Sequence, residues 1–231
     1  MWVFLDRSRE FKDDTSTMNQ EILQRIVIFF VPLLFALCFH EFAHGLVAKW
    51  RGDLTAERLG RLTMNPLAHA DPIGTFAFPL MSIFLQLPIS FGWAKPVPVD
   101  PRNLKNVRTD MFWIALAGPL SNIFLAVVTT AILAVVVHMN LFTAYQVGIF
   151  EFIKTFIQLN LFLAFFNLIP LHPLDGGKVL ARFLPARIND KLEQNEQLSG
   201  IILMVLLFSG MLTFLSIPVF MMYKFLIGMA I

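Results

Sequence analysis

Residues 26–48 read IVIFFVPLLFALCFHEFAHGLVA. The uncharged part, Ile26 to Phe39, has 14 residues. That is about 21 Å of helix, too short to cross a hydrocarbon core of about 30 Å. The run reaches spanning length only by continuing through His40-Glu41-Phe42-Ala43-His44 to about Ala48. Three ionisable side chains then lie at membrane depth, where such groups are costly and usually functional. The stretch predicts a membrane helix that carries chemistry.

Composition extends that reading to the whole chain. Of 231 residues, 57% are hydrophobic and 15% charged, with a mean hydropathy of +0.68; soluble domains average about 45–50% and about 25%. Twenty-five phenylalanines stand against two tyrosines, a skew suited to lipid as solvent. The net charge of +2 argues against a nucleic-acid binder. Cys38 is the single cysteine, which excludes an intrachain disulfide and a Cys-based zinc site. Met1 to Glu21 carries five acidic residues, unlike a cleavable signal peptide. It reads as a polar N-terminal segment (1–21) ahead of one membrane-embedded domain (22–231).

The predicted fold class is an all-α polytopic membrane protein with about five to six transmembrane helices. Spans are expected at about 26–48, 111–139, 145–169 and 198–217. A terminal helix or short sixth span follows at about 218–231, after a break near Pro218. The apolar stretch 73–91 is interrupted by Pro79 and Pro88 and suits a re-entrant or hairpin element better than a full crossing.

His40 and His44 stand at i and i+4, so one helix face carries both imidazoles, and zinc takes such nitrogens as ligands. Glu41 is adjacent and can accept a proton from water as general base. A chance HExxH match in this composition is expected roughly 0.003 times. A pair of satisfied helix histidines would instead bury unpaired polar groups in lipid, at a cost of several kcal/mol. A catalytic zinc needs a third protein ligand, for which His69, His138, His172, Glu151 and Asp175 are candidates. His138 ends an apolar helix and Glu151 can pair with Lys154. Asp175 differs in context: prolines stop the helix before it and Gly176-Gly177 free the backbone after it. Irregular backbone at membrane depth is tolerated where it is buried in protein or lines a cavity.

HEFAH (40–44), LAGPLSN (116–122) and FNLIPLHPLDGG (166–177), in this order, resemble the site-2 protease family of intramembrane zinc metalloproteases. LGRLTMNPLAHADPIG (59–74) and FGWAKPVPV (91–99) further resemble its compact bacterial branch, and no PDZ-type domain is read in the chain. The resemblance implies one zinc on His40, His44 and Asp175, with Glu41 activating water. It also implies that Asn122 lies beside the site, to touch substrate or steady an oxyanion. Of the remaining polar residues, His172 is a candidate partner of the metal ligands or of a leaving amine. His69 is a candidate hydrogen-bonding residue near the re-entrant element. Asn160 and Asn167 can bond substrate backbone or brace helices, with Asn167 the better site candidate because it adjoins the Pro170 break. Cys38 is read as a packing residue, and Trp93 and Trp113 as interfacial anchors.

For His40, His44 and Asp175 to share one metal, the spans ending near Ala48 and Ile169 must end on one side. Residues 73–91 must then leave and return to that side. Twelve basic residues fall on the metal side and four on the other, so the metal side is cytoplasmic and the N-terminus outside. The expected setting is a multi-pass protein of the cell (inner) membrane. Its expected partners are the lipid bilayer and a membrane-protein substrate with a transmembrane helix, with no nucleic acid; homo-oligomers are left open. The expected function is hydrolysis of peptide bonds within transmembrane segments. The alternatives are an inactive zinc-binding membrane scaffold and a prenyl-protein type of endopeptidase. Glu41 speaks against the first, since a structural zinc needs no base. A glutamate third ligand, which the second requires, has no suitable pattern at Glu193 or Glu196.

Overall fold

The computed structural model describes residues 15–85, 92–139 and 147–230. Most of the polar N-terminal segment (1–14), the end of the expected re-entrant element (86–91) and the turn at 140–146 lie outside them.

Helix α1 (Thr15–Arg25) runs through a π-helical turn, Ile26–Phe30, into α2 (Val31–Trp50), and 31 residues from Gln20 to Trp50 are long and apolar enough to cross a membrane. The wide turn has a cause in the sequence. Pro32 has no N–H to donate and its ring crowds the carbonyl four residues back, and one extra residue in the preceding turn opens the space. The same device recurs later, where a π-helical turn, Pro72–Ala77, precedes Pro79.

Short helices α3 (Thr55–Arg58) and α4 (Pro66–His69) follow α2, and then α5 (Phe78–Phe84). The apolar helical run Pro72–Phe84 is shorter than a span. The returning chain lies beside its own start: Ala94 bridges Ala70 in antiparallel fashion, Lys95 N donates to His69 O at 2.8 Å and Trp93 N to Gly74 O at 3.1 Å. The two ends of the run thus lie side by side, while Pro88, the second expected interruption, lies outside the described residues.

After α6 (Val107–His138), 32 residues capped by Asn106 Oδ1 on Thr109 N, α7 (Val147–Asn167) lies against it. The chain continues through α8 (Asp175–Ala181), α9 (Ala186–Gln194) and α10 (Glu196–Phe208) to α11 (Ser216–Ala230). Among the described residues, four stretches are long and apolar enough to span: Gln20–Trp50, Val107–His138, Gly148–Asn167 and Met211–Ala230. The last differs in place from the expected span at 198–217. The chain breaks at Gly210, with φ of 74°, and not near Pro218. Pro218 sits in the first turn of α11, where its missing N–H would have had no intrahelical partner.

Lipid gives helices no hydrophobic reason to associate, so they pack through close contact at small residues. Ala36, Ala126, Ala164 and Ala230 are all fully buried. One cluster joins α6, α7 and α11 through Ala126, Leu133, Ile157, Leu161, Leu226 and Ala230. Another joins α2, α7 and the returning chain through Leu33, Ala36, Leu37, Leu163 and Ala94. The polar site lies where α2 and α8 both pack against α6.

A candidate metal centre between α2, α6 and α8

His40 and His44 project from one face of α2, and both are buried. Asp175, at the first position of α8, is brought to them by the fold of 168–176. A Cβ on Gly176 would lie 2.3 Å from Ile169 O and 2.4 Å from Leu168 O. Only glycine lets the chain close so tightly onto the end of α7 and aim the aspartate back toward α2. His40 Nε2 is 3.0 Å from Asp175 Oδ2, His44 Nε2 is 3.2 Å from it, and the two Nε2 atoms are 3.0 Å apart.

The outer nitrogens fix what these three atoms are. His40 Nδ1 faces Asn122 Oδ1 at 2.7 Å and His44 Nδ1 faces the Ile114 carbonyl at 2.6 Å. Both partners accept only, so each Nδ1 carries a proton, and a neutral ring then turns the lone pair of Nε2 inward, as a metal ligand must. Asp175 Oδ2, buried, has no hydrogen-bond partner. With both rings neutral, three lone pairs converge here, an arrangement that a bound cation makes favourable. Ligand atoms around a tetrahedral zinc at about 2.0–2.2 Å lie roughly 3.3 Å apart, close to the separations observed. A Cβ on Gly118 of α6 would stand 2.4 Å from His44 Nε2 and 2.6 Å from His40 Nε2, so this glycine keeps the space beside the ligand atoms clear. Among the described residues, His40, His44 and Asp175 are the one group of this kind that could hold a metal ion. The donor set fits zinc.

Glu41 is anchored from the opposite chain segment. Val97 N donates to its Oε2 at 2.7 Å. Val97 lies between Pro96 and Pro98, so its N–H is the sole backbone donor of that triplet, and Arg61 Nη2 holds the segment by donating to Lys95 O at 2.8 Å.

The other candidates have different surroundings. Asn122, fully buried, spends its amide on His40, on Ala36 O at 3.1 Å and on Asn160 Oδ1 at 2.9 Å. Asn167 donates to Leu163 O of its own helix at 3.0 Å. His69 is buried and bonds Thr63 O at 2.8 Å through Nε2. His172 is buried with Nε2 unpartnered. His138 bonds Ala134 O within α6 and stands 24 residues beyond Ile114, about 36 Å along the helix. Glu151 pairs with Lys154 at 2.8 Å. Cys38 Sγ contacts Met64 O at 3.3 Å. Sequence reasoning missed the Val97 N–H, the Ile114 carbonyl and the reach from Asn122 to Asn160. The Pro-Val-Pro triplet, with its lone donor, was the one readable signal among these.

Comparison with known proteins agrees with this chemistry. Residues 135–212 match the profile of Peptidase family M50, a stretch that holds Asp175 and stops short of the histidines. A protein of Bacillus subtilis provisionally named zinc metalloprotease YwhC is 39% identical over 179 residues, covering 76% of this chain and 78% of the relative. Zinc metalloprotease MJ0611 of Methanocaldococcus jannaschii, also a provisional name, is 46% identical over 67 residues, 29% of this chain and 31% of that one. Zinc metalloprotease Rip2 of Mycobacterium tuberculosis, named with the same reserve, is 29% identical over 180 residues, 75% and 63% of the two chains. No solved structure matches.

Proposed function

The chain belongs to peptidase family M50, the site-2 protease family, and we propose that it hydrolyses peptide bonds inside the transmembrane segments of other membrane proteins. Membership makes it a site-2 protease-like zinc metalloprotease. The intramembrane endopeptidase activity is our reading of the site. The observation that carries it is the convergence of three buried ligand atoms from His40, His44 and Asp175 among helices otherwise built to lie in lipid, with Glu41 adjoining His40 on α2.

His40, His44 and Asp175 would hold the zinc. Bound there, zinc supplies a Lewis acid for the scissile carbonyl and for water. Asn122 and the Ile114 carbonyl keep both imidazoles in the tautomer that can ligate, the usual role of partners behind metal-bound histidines. Glu41 takes the proton of the attacking water and delivers it to the leaving amine, while Val97 N–H fixes one of its oxygens and leaves the other to do so. A substrate helix hides its carbonyls in hydrogen bonds and must unwind locally before attack. Twelve basic residues against four support a cytoplasmic site and an outside N-terminus in the cell membrane.

Glu41→Gln tests the reading. Gln is nearly isosteric but cannot take the proton, so cleavage of a membrane-spanning reporter should fall by about 10²–10⁴ with zinc content unchanged. Full activity with zinc retained would refute Glu41 as the base. A reporter helix loosened by Gly or Pro near the cut should react faster with the wild type and gain nothing with the variant.

A further inference from the structure

The amide pair behind His40 forms a line of hydrogen bonds that all point one way. His40 Nδ1 donates to Asn122 Oδ1 at 2.7 Å, Asn122 Nδ2 to Asn160 Oδ1 at 2.9 Å, and Asn160 Nδ2 to the Phe156 carbonyl at 2.8 Å. The line crosses α2, α6 and α7. Asn122 and Asn160 are both fully buried. A primary amide fits its pocket almost equally well flipped, so something must set its direction. Here two carbonyls that only accept set it together, Ala36 O beside Asn122 and the Phe156 carbonyl at the far end. The Phe156 carbonyl can only accept, which turns Asn160 so that its oxygen faces Asn122. That oxygen, with Ala36 O at 3.1 Å, claims both hydrogens of Asn122, whose own oxygen is left to face His40.

From this geometry we infer that Asn160 is a positioning residue for the metal site. It holds the Asn122 amide in the one orientation that keeps the proton on His40 Nδ1 and the lone pair on Nε2. Aligned hydrogen bonds polarise one another in a low-dielectric interior, so the line also strengthens His40 as a ligand. A helix brace alone would need no fixed direction, and two facing asparagines can brace in either. The inference rests on the zinc reading above.

Zinc affinity of the intact protein in detergent, measured by competition with a chromophoric chelator, decides it. Asn160→Leu deletes the acceptor and should weaken zinc binding on the order of 10–100-fold, the range seen for partners behind metal ligands. Asn160→Asp, neutral at membrane depth, keeps an acceptor for Asn122 and a donor for Phe156, and should bind within a few-fold of wild type. Should Asn160→Leu fail to fold, Asn160→Ala removes the same amide without overfilling its space. Wild-type affinity in the apolar variant, or equal loss in Asn160→Asp, overturns the positioning role. His40→Ala separates the two claims: if it keeps zinc, the zinc site itself is wrong. If His40→Ala loses zinc while Asn160→Leu binds normally, the site stands and only the role of Asn160 falls.

Discussion

Gly118 carries no chemistry, yet the metal centre depends on what it lacks. A methyl there would sit 2.4–2.6 Å from both ligand nitrogens, closer than any unstrained contact, so Gly118→Ala must push the imidazoles apart or displace α6. Metal analysis of purified Gly118→Ala should find little zinc and a reporter assay little cleavage. A variant with full zinc would mean that the ligands approach from another side. Val97 acts through its backbone in the same way. Val97→Ala keeps the N–H that holds Glu41 and should retain most activity. Val97→Pro removes it and should lower kcat by more than it alters zinc content, a split read from kinetics and metal analysis of the two variants.

At the scale of elements, a buried carboxylate helps hold the connection after α2. Asp53 accepts from Thr55 N at 3.0 Å, Asp100 N at 2.8 Å and Asn103 Nδ2 at 2.8 Å. It thereby ties the end of α2 to the chain that enters α6. Burial pushes the Asp53 carboxyl up, but donors from Thr55, Asn103 and Asp100 outweigh it and hold it below the usual carboxylate range. A depressed folded value means that the charged form stabilises the fold. Its contribution is present above the unfolded value of about 3.9 and is lost as pH falls through the depressed one. Asp53→Asn should therefore cost about 1–2 kcal/mol at pH 7, as expected for lost hydrogen bonds to a charged group. The gap to the wild type should close toward pH 3 in thermal unfolding; a gap constant with pH would show that the charge is irrelevant. The fold of 168–176 is the second critical connection. Gly176→Ala sets a methyl against the Leu168 and Ile169 carbonyls and should release Asp175, measured as lost zinc with the four long helices intact by circular dichroism.

At the scale of the molecule, the antiparallel bridge between Ala70 and Ala94 fixes the chain on either side of the hairpin at one level. On the reading proposed above, the connections before α6 and after α8 are expected on one side of the membrane. Lys105, just before α6, and Lys191, in α9, are both exposed. Single cysteines there, in a Cys38→Ala background, should both react with an impermeant maleimide from the cytoplasmic side. Reaction from opposite sides would overturn the hairpin and with it the shared metal.

The sequence by itself determined the membrane class and the histidine pair with its glutamate, and it set Asp175 apart by its proline and glycine neighbours, while its place as third ligand came from the family resemblance. Those features follow from composition and from short-range spacing: an i, i+4 pair shares a helix face whatever surrounds it, and proline and glycine act locally. It also indicated the hairpin, because Pro79 and Pro88 interrupt what would otherwise be a span. The end of the chain was harder to read, since a run as apolar as 198–231 can break at any residue that tolerates it, and Gly210 does so where Pro218 need not. Only the tertiary structure decided which amide stands behind His40, which carbonyl behind His44, and which N–H holds Glu41. These contacts join residues 56 to 82 positions apart. Asn122, Ile114 and Val97 look like many other residues until helix packing gives each its partner.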